Sequence, residues 1–274
     1  MKKPRDRGVE IGPKRFAAWL AHFSGYRIPI THGMIELWMK QFSPQDQDLA
    51  ARILDAVLFL NTQHIHTRFR ESLESIEGWH KQKGKRAGRW FFVPFSGSAG
   101  ESGDSMVHAF RTATLMTSKA YNDLFVYRSD LVSLKPGPDD TVVLIDDFCG
   151  SGNQACGFWK IFDEVLAGRP RIILMLVAAT QLGLRKIADE TKMDAMCGTI
   201  LRSKDNVFDP DCTHFSAKEK EVLFDYCHRV DKDRPRGYGD TGLLVVLAHK
   251  CPNNSLPILH ATNHQWDGLF PRHG

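Results

Sequence analysis

Thr141-Val-Val-Leu-Ile-Asp-Asp-Phe-Cys-Gly-Ser-Gly-Asn-Gln-Ala155 is the stretch on which the fold of this chain turns. Its first five residues are apolar or β-branched, which predicts a strand over 141–145 buried on both faces. Asp146 and Asp147 follow at the carboxyl end of that strand, the end at which open α/β sheets receive ligands. Gly150, Ser151 and Gly152 let the backbone turn its N–H groups toward one point. Residues 154–166 then read as a helix whose N-terminus adds partial positive charge. The combination predicts an anion cradle suited to a phosphate. The acids at its edge suit the vicinal hydroxyls of a ribose or a hydrated Mg²⁺. Paired acids that merely cap the following helix are the bland alternative.

The same grammar extends outward. Residues 90–95 read as a strand, 96–103 as a Gly/Ser-rich loop, 104–116 as a helix and 124–127 as a strand. A polar loop over 128–140 follows, with Pro136, Gly137 and Pro138. After the central stretch come a buried strand over 171–179 and a helix over 182–190. Strands alternating with helices predict an α/β fold, a mainly parallel sheet with helices on both faces.

N-terminal to this, residues 1–80 read as helical. Ser43 is an N-cap candidate, Pro44 suits the first helical position and Asp46 the positive end of the dipole. Leu49, Ile53, Leu54, Val57 and Leu58 recur at helical spacing, and Ile65, Phe69, Leu73 and Ile76 continue it. His64 and His66, two apart on a helix, point to different faces and do not share a metal. The expected organisation is a helical region over 1–85 and an α/β domain over 86–274. Within the latter, 201–240 form an irregular insertion with one helix over 216–226, and a late strand covers 243–248. The basic run His80–Arg89 reads as a solvated linker.

Composition narrows the class. The chain has 274 residues, 42% hydrophobic and 25% charged, with a net charge of +4. That balance tolerates an anionic ligand without the strongly basic stripe of a dedicated nucleic-acid binder, and leaves nucleic acid an open question. The six cysteines include no Cys-x-x-Cys pair, so neither a zinc ribbon nor a redox motif is expected. Nor is a nicotinamide cofactor. No signal-like apolar region follows the basic N-terminus, and the longest apolar run, 172–179, falls far short of the ~20 residues that span a bilayer. A cytoplasmic protein with free thiols and no membrane contact is expected.

The central stretch resembles the diphosphoribosyl-binding motif of type I phosphoribosyltransferases: an apolar strand, two acids and a Ser/Thr/Gly loop. The resemblance implies a phosphoribosyl diphosphate or nucleotide ligand, with Mg²⁺. It assigns the ribose hydroxyls and, indirectly, the Mg²⁺ to Asp146 and Asp147, and the 5′-phosphate to Gly150, Ser151, Gly152, Asn153 and Gln154. Gly150 and Gln154 stand where that family usually has Ser or Thr, which shifts work to backbone amides. An earlier loop, Ser96, Gly97, Ser98 and Ala99, would be the pyrophosphate loop, and Arg128 the basic residue beside the leaving group. Residues 128–140 would form a lid, and Tyr238 or Trp266 would stack on an acceptor. The segments Trp38–Phe42, Gly237–Leu247 and Cys251–Leu259, with Trp266 and Leu269–Arg272, are similar to the phosphoribosyltransferase-like proteins of prokaryotic conflict and antiphage systems. That narrower resemblance implies a defence effector with a partner protein.

Three other readings compete. Ile145-Asp-Asp-Phe-Cys-Gly-Ser-Gly152 also resembles the S-adenosylmethionine loop of amino-methylating DNA methyltransferases, but Asp147 replaces a proline. The catalytic Asn/Asp-Pro-Pro-Tyr/Trp string of those enzymes is missing, Asp209-Pro-Asp-Cys212 being the nearest. A hydrolase would use Ser96-Gly-Ser-Ala-Gly100 as a nucleophile elbow with His249 or His260 as base, in a loop too long for a tight elbow. A non-catalytic nucleotide-binding regulatory module would keep the cradle and lose turnover.

Overall fold

The structure is a computed structural model that describes residues 11–95, 103–166 and 169–272. In chain order its elements are α1 (Pro13–His22), α2 (His32–Lys40), α3 (Gln47–Ala56), β1 (Leu58–Leu60), α4 (Thr62–Glu74), β2 (Trp90–Pro94), α5 (Gly103–Ala113), α6 (Asp130–Leu134), β3 (Thr141–Cys149), α7 (Asn153–Val165), β4 (Arg171–Thr180), α8 (Gln181–Glu190), β5 (Asp194–Leu201), α9 (Ala217–Val230), β6 (Val245–Leu247), α10 (Pro257–His260), β7 (Thr262–Asn263) and β8 (Trp266–Asp267). Two compact units result. One joins Met1–Thr62 to Ser203–Gly274 and the other is Gln63–Arg202, a division that does not coincide with a boundary at 85/86.

In the Gln63–Arg202 unit the strands stand in the order β2-β3-β4-β5, all parallel. Val142, Val143, Leu144 and Ile145 are fully buried, as a strand covered on both faces requires. One face, with Val93, Leu144 and Leu174, packs against Phe158, Trp159 and Phe162 of α7 and Ile187 of α8. On the other, Phe92 meets Phe110 of α5 at 4.8 Å, and Phe110 meets Phe69 of α4 at 5.7 Å. This is the expected α/β architecture.

The amino end of the sheet is tied by one carboxylate. Asp140 accepts from the Arg89 amide (2.9 Å), the Gly137 amide (2.7 Å) and the Arg89 guanidinium (2.7 Å). The backbone continues the tie: the Thr141 amide donates to Arg89 O, and the Arg171 amide to Asp140 O. Burial alone would raise the Asp140 pKa, but these donors outweigh it and hold the carboxyl below its ordinary value.

In the other unit β1 pairs in parallel with β6. The indole N–H groups of Trp38 and Trp266 both donate to Ile258 O, at 2.8 and 2.9 Å. Ser216 and Glu219 form a capping box at α9, and Glu219 also pairs with Arg52.

Several expectations need correction. The N-terminal region is not all helical: Leu58–Leu60 is a strand, and Leu58 is a third exposed. Pro44–Asp46 is a 3-10 turn preceding α3, with Ser43 bonded to the Asp46 carboxylate rather than to a helix amide. Residues 119–124 are 3-10, and only Phe125 bridges to Phe92, so no strand covers 124–127. The polar loop 128–140 contains α6, anchored by the buried Leu131 and by Arg89 bonding to the carbonyls of Leu134 and Lys135. β3 runs through the two aspartates to Cys149, and β5 supplies a strand for which the sequence reading had none.

Asp140→Asn is expected to lower unfolding stability by about 1–3 kcal/mol, since it removes a charge from three donors. Because the folded pKa lies below the unfolded one, the wild-type contribution is full above the unfolded pKa. It is lost as pH falls through the folded pKa. Urea melts of both proteins between neutral and strongly acidic pH should therefore converge at the acid end.

Candidate functional site

Asp146 and Asp147 lie inside β3 rather than beyond it. They are 6% and 3% exposed, and Asp146 Oδ1 accepts the Asp147 amide at 2.9 Å. Asp146 acts electrostatically on the Cys149 thiol, which packs with Val142 and Leu144 on the α7 side of the sheet. Cys149 ends the strand. Burial pushes its thiol up to about 12, despite the Gly152 amide that hydrogen-bonds it, so it is no thiolate nucleophile.

The turn after β3 is held by α8. The Thr180 hydroxyl, buried, donates to Gly150 O at 2.5 Å and accepts the Gly183 amide at 2.9 Å. Backbone approaches so closely that a Cβ on Gly183 would stand 2.3 Å from Gly150 O and 3.0 Å from Cys149 Sγ. Gly152 has φ 77° and would carry its own Cβ to 2.9 Å from Gly183 O. Both positions demand glycine. Ser151 is half-buried, and its hydroxyl accepts the Asn153 amide at 3.4 Å. Lys186 reaches back from α8 to Asn153 Oδ1 at 2.5 Å. α7 begins at Asn153 with no side-chain cap on Gly152, so the positive end of its dipole is delivered at the turn.

A cavity of about 690 Å³ opens beside this turn. Arg128 and Gln154 share its wall with Asp104, Tyr127, Phe158 and Ile161, and the Arg128 guanidinium lies 5.2 Å from the centre of the Phe158 ring. Of the expected site residues the structure thus brings Arg128 and Gln154 together, whereas Asp146, Asp147 and Gly150–Gly152 are not among the described lining residues. Ser96, Gly97, Ser98 and Ala99, expected as the pyrophosphate loop and as the rival nucleophile elbow, lie outside the described residues. No group of three or more His, Cys, Asp or Glu that could hold a metal occurs among the described residues. None of their helices is long and apolar enough to cross a membrane.

Tyr238 and Trp266 belong to the other unit. Trp266 is buried and meets Phe42 at 5.1 Å, the geometry of a packing residue. Tyr238 is half-buried under the Arg234 guanidinium. His260, offered as a hydrolase base, is also in that unit, and burial pulls its pKa down to about 4.

Thr180 and Lys186 were missed in the sequence. Thr180 had a signal, since a Thr that immediately precedes a helix is an N-cap candidate. Lys186 had none, because its partner lies 33 residues away. Thr180→Val, which keeps the shape and deletes both hydrogen bonds, is expected to cost about 1–3 kcal/mol. Thr180→Ser should cost less than half as much. Denaturant melts of the two variants check this, and equal losses would exclude the hydroxyl as the fastener.

No curated protein matches the chain. Among solved structures, a hypoxanthine-guanine-xanthine phosphoribosyltransferase is similar at 14% identity and TM-score 0.30, over 53% of this chain and 78% of its own. The AQ2163 protein of Aquifex aeolicus is similar at 14% identity and TM-score 0.33, over 64% of this chain and 87% of its own. The family model PRTase-CE matches residues 35–272. That match takes in the acid pair, the Gly-Ser-Gly turn and the tryptophan-bearing tail, and the chain belongs to this phosphoribosyltransferase-like family.

Proposed function

We propose that the chain binds a ribose phosphate, phosphoribosyl diphosphate or a nucleotide, at the turn after β3. The observation that carries this reading is the Gly150–Gly152 turn fastened by Thr180 at the start of α7, where only a long 3.4 Å bond to the Ser151 hydroxyl meets the first helix amide, beside two shielded acids. The 5′-phosphate would be received by the amides of residues 150–154 and the Gln154 side chain, where the helix dipole favours an anion. Asp146 and Asp147 would take the ribose hydroxyls. Their burial makes such hydrogen bonds stronger than in water. Arg128, on the cavity wall, would meet the diphosphate together with Ser96–Ala99. The same cavity is large enough for an acceptor against Tyr127 and Phe158.

Mg²⁺ suits this donor set, because it is held by one or two carboxylates plus phosphate oxygens. Asp146 and Asp147 would hold it through water, and when bound it neutralises diphosphate charge. The chain's own contribution to transfer would be positioning: the C1′–oxygen bond breaks with oxocarbenium character, pyrophosphate leaves with the bonding electron pair, and the acceptor atom bonds C1′ and gives up its proton. Catalytic transfer with Asp146, Asp147 and Arg128 is the proposed activity, and a cytoplasmic role in a prokaryotic defence system with a partner protein the proposed setting. The family match supports this reading over methyl transfer.

Calorimetry with phosphoribosyl diphosphate and Mg²⁺ is expected to show binding that weakens at least about 10-fold in Asp146→Asn/Asp147→Asn, the loss of charge-assisted bonds worth roughly 1.4 kcal/mol or more. Circular dichroism controls for folding. Binding of S-adenosylmethionine alone would overturn the reading. Binding without pyrophosphate release from any acceptor would leave a regulatory sensor.

A further inference from the structure

The segment between α4 and β2 is more than a solvated linker. It carries Lys81, Lys83, Lys85, Arg86 and Arg89. Two of these cations have structural duties. Arg86 donates to the carbonyls of His80 (2.7 Å) and Lys81 (2.8 Å) and lays its guanidinium over the Trp79 ring at 4.9 Å. Arg89 is held by Asp140. Lys81, Lys83 and Lys85 stay exposed. Lys83 meets Asp123 at 3.5 Å, but with side chains 84% and 60% exposed that pair holds the lysine only weakly.

Lys81, the first of the three lysines, stands on a cleft of about 290 Å³. Its floor is apolar, from Leu73, Ala113 and Met116, and Trp79 forms one wall. Arg70, His80 and Lys81 stand on its rim against one acid, Glu74. Trp79 is held by Trp90 at 5.1 Å, by Phe92 at 5.2 Å and by the Arg86 guanidinium over its ring, so the part of it that lines the cleft needs little ordering for a group to pack there. His80 Nδ1 accepts the Gln82 amide at 2.9 Å, which leaves Nε2 to carry the proton of the neutral ring.

We propose that this surface binds single-stranded nucleic acid, with phosphates along Lys81, Lys83, Lys85 and Arg70 and one base in the cleft against Trp79. Cations that track a backbone beside an aromatic platform are the physical pattern of sequence-tolerant strand binding. A duplex keeps its bases stacked and cannot fill the cleft, whereas a single strand offers a planar base at the same repeat as its phosphates. The site is separate from the ribose-phosphate reading, since none of its residues lines the cavity of Arg128 and Gln154.

The test is fluorescence anisotropy with a labelled mixed-sequence single-stranded RNA of about 16 nucleotides. The full chain is compared with Lys81→Glu/Lys83→Glu/Lys85→Glu, whose three positions are exposed and whose thermal melt should match wild type. The variant is expected to bind at least about 10-fold more weakly at low salt, with a log–log salt slope shallower by about 2. Asp146→Asn should leave binding unchanged, which separates this surface from the ribose-phosphate site. No binding by wild type at low salt, an unchanged slope in the variant, or duplex RNA binding as tightly as the single strand would each overturn the proposal. So would displacement by polyglutamate as efficient as by unlabelled RNA.

Discussion

The contact between the Gly150–Gly152 turn and the first turn of α8 sets the geometry on which the rest of the α/β unit depends. Main chain touches main chain there, with no room for a Cβ on Gly183, and the Thr180 hydroxyl spans the junction. Because β4 delivers Thr180 and β3 delivers Gly150, the fastener works only when the two strands are in register, as their pairing from Thr141 with Arg171 to Cys149 with Ala179 makes them. The direction in which α7 leaves the turn follows. Once α7 is aimed, its period presents Gln154, Phe158 and Ile161 along the cavity, while Ala155, Trp159 and Phe162 reach the core. One hydroxyl and two glycines thereby orient a helix that serves the core and the candidate site together.

What could be read in the sequence was whatever was written locally. The strand at 141, the helix after the Gly-Ser-Gly turn and the strand at 171 each carry their own period or apolar run, and each lies within a few residues of its expected place. β1 could not be read. Leu58–Leu60 extends a helical rhythm and becomes a strand only because β6 pairs with it, Leu58 beside Val245. β5 was hidden for a different reason: seven of its eight residues are only half-buried or exposed, Leu201 being the exception, so Asp194, Gly198 and Thr199 dilute the pattern. Helix α6 is five residues long, too short to show a period, and one of its anchors, Arg89, lies more than forty residues away in the sequence. At the site, the acids and the turn were legible as a run, but their burial inside the strand was not, since the strand's end was set by pairing with β4.

The tail motifs tell a similar story about distinctiveness. Trp38 and Trp266 converge on the carbonyl of Ile258. The Tyr238 amide donates to Asn253 O, and the Thr241 hydroxyl donates to Asn254 O. Ser255 Oγ donates to Val245 O. These residues are unusual in sequence because they hydrogen-bond across a unit built from both ends of the chain, where substitution would strand buried polar atoms. Rarity here reports a constraint on folding, and a residue such as Trp266 can be distinctive without touching a ligand.

The protonation states around the β3 turn narrow the chemistry available to it. The Cys149 thiol is held protonated, and Cys197 is pushed up to about 11 by burial, so neither supplies a thiolate. Among the described residues the other groups at the turn are the two acids, backbone amides, the Ser151 and Thr180 hydroxyls, the Gln154 side chain and Lys186, with Arg128 on the cavity wall. Such a set stabilises charge and holds hydroxyls, and it offers no covalent intermediate through sulfur. Transfer of a group that leaves with its own stabilised anion needs nothing more from the protein than position and field. The described part of the turn therefore meets the demands of the proposed displacement at a sugar carbon without calling on sulfur.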